Sequence, residues 1–322
     1  MKRIVLAIAY KPELMAEKLN KELAAADFSV EVIYSHEKTP LGTAGPLALA
    51  REHLESEAGE PFFVLNADVT CRYPFAELLE FHKKHGKEGT IMVTKVEEPS
   101  RYGVVVYKKD GAIERFVEKP QTFVGNRINA GLYIFNPSVL NRIEPRPTSI
   151  EREVFPAMAE AGELFAMDLE GFWMDVGQPG DYLVGMGMHL ESLKQHQSES
   201  LYQKKDGDDF EVIQPVLIHP SAKIGRGCVL GPDVSIAKDC VIGDGNRLQY
   251  CAVLEGVEIA NSSWINRSII GWHSRIGSWC RMQNGSVLGE DVTVRDGLYV
   301  NGAKILPHKE IKDSVPEPAV IL

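Results

Sequence analysis

From Ile218 onward an apolar residue returns at every sixth position, a period that suits neither an α-helix nor a simple alternating strand. Ile218, Ile224, Leu230, Ile236, Ile242, Leu248 and Leu254 keep it without a break, and Ile270, Ile276, Met282, Leu288, Val294, Val300 and Leu306 keep it again. Ile259 and Ile265 carry the pattern across the interval through two five-residue steps and one six-residue step. A glycine often follows the anchor, as in Ile224-Gly225, Leu230-Gly231, Ile242-Gly243, Ile276-Gly277 and Leu288-Gly289. This grammar belongs to a triangular prism of stacked coils, in which each anchor points inward and the small residue permits the corner. Residues 211–312 are therefore expected to form a parallel β-helix of hexapeptide repeats, with 313–322 as a C-terminal tail.

Such a prism can be a catalytic body for acyl transfer or an appended assembly or regulatory module. Acyl transfer needs a histidine base facing a cleft between prisms, and His219, His273 and His308 are the candidates. Each is more simply an exposed or packed residue, and acyl transfer would leave the preceding half of the chain without a role. That half, residues 1–190, alternates short apolar runs with helical patterns. Ile4–Ala9, Val30–Tyr34, Phe62–Leu65 and Thr90–Val96 read as strands, and Pro12–Ala25, Gly45–Leu54 and Phe75–His85 as helices. The rhythm predicts a Rossmann-like α/β domain with a parallel sheet covered by helices, joined by a polar linker at 191–210 to the prism.

A net charge of −10 lacks the basic footprint of a general nucleic-acid binder and disfavours anionic membrane surfaces. Met1-Lys2-Arg3 ahead of Ile4–Ala9 has the outline of a signal peptide, but the apolar core is shorter than the usual range of about 7–15 residues. No run reaches the roughly 18 apolar residues of a membrane span. Five cysteines without a C-x-x-C pair fit a reducing compartment. A cytoplasmic location is expected.

In α/β sheets, ligands gather at the carboxyl ends of strands. Asn66-Ala67-Asp68 stands at such an end, and Trp173-Met174-Asp175-Val176-Gly177 offers a second carboxylate ahead of a helix opened by Pro179. Taken singly, Asp68 reads as a turn residue and Asp175 as part of a helix N-terminus. Together they could hold a hard divalent cation, which Mg²⁺ prefers to bind through one or two carboxylates plus substrate phosphates. Glu118-Lys119-Pro120 closes a strand, where the lysine could meet a phosphate or simply be solvated. Asn129-Ala130-Gly131 opens an apolar strand with small residues that would let a ring approach. Pro40–Gly45 could present amides to a base or ribose, or be a plain connecting loop.

Pro40–Gly45, Asn66–Asp68, Tyr102–Val105, Phe116–Pro120, Asn129–Gly131 and Trp173–Gly177, in this order and ahead of a prism, resemble the sugar-1-phosphate nucleotidyltransferases. Thr94–Ser100, Pro147–Glu151, Gly171–Asp175 and Ser314–Pro318 narrow the likeness to the mannose-1-phosphate guanylyltransferases of eukaryotic type. The likeness runs from about Arg3 to Leu322. It implies a left-handed prism and formation of GDP-mannose and pyrophosphate from GTP and mannose 1-phosphate. It also implies Mg²⁺ on Asp68 and Asp175, the sugar phosphate on Lys119 and mannose hydroxyls on Glu118. Asn66, Gly103, Asn129 and Gly131 would line the sugar site, with Gly42, Thr43 and Ala44 against the guanosine. Oligomers with copies of itself or with related subunits are implied as well.

The family's G-G-x-G-T-R loop and the P-K-P that follows it do not occur among the 322 residues, and Met1–Tyr10 resembles the family's second strand. That loop supplies the amides that cradle a triphosphate. Little or no turnover is therefore expected of these residues alone, and a spliced or incompletely read coding sequence is the expected origin. Its strand is central in the family's sheet, so its omission should leave a gap or bring the neighbouring strands together. Two other readings stay open: a sugar-nucleotide-binding subunit without turnover, and a relative that uses another nucleotide, such as an adenylyltransferase.

Overall fold

The computed structural model describes residues 3–8, 12–25, 30–55 and 59–322; Met1, Lys2 and Ala9, used in the sequence reading, lie outside them. Two compact units result, Met1–Ala67 with Tyr73–Glu170, and Asp68–Arg72 with Gly171–Leu322. In chain order the first elements are β1 (Arg3–Ile8), α1 (Pro12–Ala25), β2 (Glu31–His36), α2 (Gly45–Leu49), α3 (Arg51–Leu54), β3 (Phe62–Leu65), β4 (Val69–Cys71) and α4 (Phe75–His85). They are followed by β5 (Gly89–Lys95), β6 (Gly103–Tyr107), β7 (Ile113–Glu118), β8 (Arg127–Phe135), α5 (Phe155–Glu160), β9 (Leu164–Asp168), β10 (Trp173–Asp175) and α6 (Pro179–Gln195). The expected helix over 45–54 is two short helices meeting at Ala50.

The sheet of the first unit is mixed, which corrects the expectation of an all-parallel one. β8 pairs antiparallel with β3, with β5 and, through Ile128, with β6, which in turn carries β7. β9 lies parallel to β5. Strands β3, β5 and β9 thus share one direction, as a β-α-β rhythm requires. The links from β6 to β7 and from β7 to β8 contain no helix. The five-residue link from β6 to β7 joins antiparallel neighbours, as so short a connection must, and β7 and β8 then flank β6 on its two sides. Ile91, Val93, Tyr133, Phe135, Phe155, Met158 and Leu164 form the core against this sheet. Truncating one of the buried aromatics to alanine would cost about 3–5 kcal/mol.

β1 and β2 pair in parallel as a two-stranded sheet of their own, from Arg3↔Glu31 to Ile8↔His36. Among the described residues no ladder joins this pair to the larger sheet.

In the second unit β10 pairs antiparallel with β4, and α6 starts at Pro179, where a missing N–H costs the helix nothing. The prism follows, with three parallel sheets whose strands stack coil upon coil. Ile224, Ile242, Ile259, Ile276, Val294 and Ile311 line one interior face. Two sequence anchors are corrected. Val253 is the inward residue between Ile236 and Ile270, and Ile305 the one beside Leu288, in place of Leu254 and Leu306. The three five-residue steps, Leu248 to Val253, Ile265 to Ile270 and Val300 to Ile305, thus all fall at the same corner of the prism. Val320–Ile321 adds a last strand alongside Lys304–Ile305.

The three histidines weighed for acyl transfer sit at coil turns. His273 and His308 occupy left-handed corner positions, with φ of 56° and 62°, and His308 Nδ1 lies 3.1 Å from Asp291. His219 bonds Ser221 at 2.9 Å. All five cysteines are free and buried, and burial pushes the Cys251 thiol up to about 12.

Candidate active site

In the second unit, pairing of β4 with β10 brings Asp68 and Asp175 together. The Val176 amide donates to the Asp68 carbonyl at 2.7 Å, and the Gly177 amide donates to Asp175 Oδ1 at 3.0 Å. A Cβ added at Gly177 would stand 3.2 Å from Asp175 Oδ1 and 3.3 Å from Asp68 Oδ2. Both carboxylates therefore face one small space that only glycine leaves open. This pair of oxygen donors around an unfilled cradle fits a hard divalent cation that takes its other ligands from phosphate and water. Among the described residues no group of three or more His, Cys, Asp or Glu side chains gathers for a metal.

In the first unit, the loop containing Gly42, Thr43 and Ala44 is fastened to the segment Pro147–Glu151. The Ala44 amide donates to the Thr148 carbonyl at 2.9 Å, and the Thr148 amide to the Leu41 carbonyl at 3.0 Å. Gly42 has φ of 74°, and a Cβ there would meet the Thr148 oxygen at 2.5 Å, so a side chain is excluded twice over. Thr43 Oγ1 donates to Glu151 at 2.6 Å while accepting from the Ile150 amide at 2.9 Å. Ser149 Oγ also donates to Glu151, at 2.9 Å. These contacts sit at the start of a π-helical turn, Ile150–Val154, whose N-cap is Ser149.

Glu118 ends β7 opposite Gly103 of β6, close enough that a Cβ at Gly103 would stand 2.9 Å from Glu118 Oε2. Burial first, and then the Glu151 charge, push the Glu118 carboxyl above its ordinary range; Lys119, 3.7 Å away, pulls the other way. Lys119 itself is exposed, in left-handed backbone with φ of 44°. Asn129 and Gly131 lie within β8 and do not open it. There the pairing with β5 shifts register between Ile91 and Val93. Asn129 accepts from the Gly131 amide at 3.0 Å and donates to the Tyr133 hydroxyl at 2.9 Å. Gly131 has φ of 76°, and a Cβ there would touch the Asn66 side chain at 2.9 Å; the Asn66 amide donates to the Gly131 carbonyl at 2.8 Å.

Comparison with known proteins divides the chain after α6 and not at Glu170. Residues 1–191 match the family model described as nucleotidyl transferase, and residues 212–321 the one described as GMPPB C-terminal domain. The chain is 59% identical to the mannose-1-phosphate guanylyltransferase catalytic subunit beta of Dictyostelium discoideum, over 99% of this chain and 87% of that one. It is 54% identical to the subunit of the same name from Danio rerio, over 100% of this chain and 88% of that one. The chain belongs to the nucleotidyltransferases, in the mannose-1-phosphate guanylyltransferase family. A solved structure from Bacillus anthracis, assigned as a glucose-1-phosphate thymidylyltransferase, shares the fold at a TM-score of 0.50 and 16% identity, covering 63% of this chain and 78% of that one.

Two residues of these arrangements carried no role in the sequence reading. Glu151 stands in a segment quoted only for its family likeness, and Gly177 only as the end of a motif. A sequence signal existed for the first: an acidic residue two positions after a serine N-cap belongs to a first helical turn, where carboxylates commonly find amides and hydroxyls. Gly177 gives no such signal, because its importance lies in what would collide with a side chain.

Proposed function

We propose that this chain serves the synthesis of GDP-mannose from GTP and mannose 1-phosphate. The sugar-phosphate oxygen attacks the α-phosphorus in line, and pyrophosphate leaves. In a loose transition state of this kind the protein works by positioning and by neutralising charge. Asp68 and Asp175 hold Mg²⁺, whose contribution when bound is to neutralise the nucleotide phosphates. Lys119 contacts the sugar phosphate as a point charge, and Glu118 accepts hydrogen bonds from the mannose hydroxyls. Asn66, Gly103, Asn129 and Gly131 shape the sugar pocket. Gly42, Thr43 and Ala44, held by Thr148 and Glu151, lie against the guanosine. The protein acts in the cytoplasm, in assemblies with copies of itself or with related subunits.

The observation that carries this reading is the pairing of Asp68 and Asp175 around Gly177, in a chain matched along 99% of its length by a guanylyltransferase relative. A second reading, a subunit that binds the sugar nucleotide without turning it over, is favoured by the separate β1–β2 sheet, which among the described residues shares no ladder with the larger one. One experiment separates them. Pyrophosphate release from GTP and mannose 1-phosphate is measured beside calorimetric binding of GDP-mannose, with and without Mg²⁺, for the wild-type chain and for Asp68→Asn. Release lost in the variant supports the first reading. Binding without release supports the second, and binding of neither substrate nor product overturns both. A panel of nucleoside triphosphates tests the choice of guanine.

A further inference from the structure

The prism's arginines divide into two sets. Arg226, Arg275 and Arg295 each hold a carboxylate, that of Asp244 at 3.2 Å, Glu258 at 3.7 Å and Glu310 at 2.7 Å. Arg247, Arg267 and Arg281 hold none among the described residues, and all three are exposed. This second set shares one face. Arg247, Trp264, Arg281 and Tyr299 form an outward row in register, alternating with buried anchors such as Leu248 and Met282. Arg267 closes the same face at its corner, over the Tyr250 ring at 5.8 Å.

Charge on this face is held by rings and not by acids. The Arg281 guanidinium lies 4.7 Å from the Trp264 ring centre and 5.5 Å from that of Tyr299. Such stacking orients a guanidinium without neutralising it, and leaves its N–H edge for an anion. Gln283 fixes the direction of that edge. Its Oε1 accepts from Arg281 Nε at 3.2 Å and Nη2 at 3.0 Å, and its Nε2 donates to the Tyr299 hydroxyl at 2.7 Å. The acids of the corner before this face are engaged elsewhere, Asp244 with Arg226 and Asp296 with the Ser278 amide at 2.7 Å. Glu211, in the same row, stands two coils before Arg247. Three guanidiniums left without acids in a chain of net charge −10 repel one another until an anion lies between them. Adjacent coils are about 4.8 Å apart, which sets the backbones of Arg247 and Arg281 about 10 Å from one another with Trp264 between. That spacing suits several linked charges more than a single one. The planar fork matches phosphate oxygens bidentately, and the row contains no lysine.

We propose that this face of the prism, Arg247, Arg267 and Arg281 around Trp264, is a binding site for a compound that carries linked phosphates. Its source is a nucleoside triphosphate or an inorganic polyphosphate. The arginines take the phosphate oxygens, and the aromatic rungs offer a flat surface to a ring when the ligand has one. The site is separate from Asp68 and Asp175 in its residues and does not depend on their role.

Calorimetry of the full chain in EDTA, with tripolyphosphate and with ATP as probes, tests this. Wild-type protein should bind both. Equal affinities would assign the site to phosphates alone, and tighter binding of ATP would add a ring against the aromatic rungs. Arg247→Gln and Arg281→Gln should each weaken binding about tenfold or more, with little change in melting temperature. Arg281→Lys keeps the charge but not the fork, and should weaken binding as well. Arg226→Gln removes the same charge from an arginine that already has its acid, and should bind like wild type. The proposal fails if neither probe binds at millimolar concentration, if binding survives both glutamine variants, or if Arg226→Gln weakens it as much. Tighter binding of a glutamate-rich peptide than of either probe would also overturn it, because the face would then serve a protein.

Discussion

Thr43 and Glu151, separated by 108 positions in sequence, share a hydrogen bond of 2.6 Å. The hydroxyl donates to the carboxylate and accepts the Ile150 amide, so one small side chain ties the 40–45 loop to the start of the π-helical turn.

Thr43→Val keeps the shape and removes both bonds, leaving the Ile150 amide without its acceptor at a cost of about 1–3 kcal/mol. The variant should melt lower and bind GDP-mannose about tenfold more weakly, whereas Thr43→Ser should behave like wild type. Equal behaviour of the two variants in a thermal melt and in calorimetry would remove the role assigned to this bond.

Glu118 pays in stability for its place. Its folded-state carboxyl is raised by burial and by Glu151, so the stability it contributes is present at low pH and is lost as pH rises through the folded value. At neutral pH the ionised group weakens the fold. Glu118→Gln should therefore melt above wild type at pH 7, lose that advantage near pH 4, and bind mannose 1-phosphate more weakly. A melting temperature unchanged at both pH values would contradict the sign.

Asp68 and Asp175 both face the position that a Cβ at Gly177 would take. Asp68→Asn or Asp175→Asn should abolish the Mg²⁺-dependent part of ligand binding with little change in melting temperature. Gly177→Ala should do the same with both carboxylates intact, because its methyl enters the space they face. Mg²⁺-dependent binding retained in Gly177→Ala would show that the ion sits elsewhere.

His82 and His85 predict an acid limit for the first unit. The Thr90 hydroxyl lies 2.8 Å from a ring nitrogen of each, and His85 stacks on Phe165 at 4.3 Å. Burial lowers both, with His85 at about 4 against an ordinary value of 6.5. The unfolded chain therefore takes up protons first, and stability should fall as pH drops from about 6.5 towards 4. Replacing His85 with phenylalanine should flatten that limb of the stability profile. A limb of unchanged slope would assign the acid sensitivity to other groups.

Much of this architecture was legible because two periods are written plainly into the chain. The helices Pro12–Ala25 and Phe75–His85 were placed to the residue, and the prism was read from its anchors alone. The direction of β8 was not, because an apolar strand carries no mark of which way it runs; its pairing with β3, β5 and β6 decides it. The site was legible as separate motifs, and their meeting was not. That Glu151 reaches Thr43, or that Gly177 stands between two carboxylates, is a fact of three-dimensional approach with no local spacing to announce it.

The prism's one ambiguity gives the sharpest test of register. Val253 and Leu254 are adjacent apolar residues, and either satisfies a period near six. Strand pairing selects Val253, which is 1% exposed and aligned with Ile236 and Ile270, while Leu254 lies only half-buried beyond the strand. An aspartate at 253 would place an unpaired charge in the prism interior, at a cost of about 3–5 kcal/mol. At 254 it would turn towards the corner, where water can reach it. Val253→Asp should thus unfold the middle coils, seen as loss of the cooperative melt, and Leu254→Asp should melt within a few degrees of wild type. The opposite ranking would return the anchor to Leu254 and move the five-residue step to the next corner.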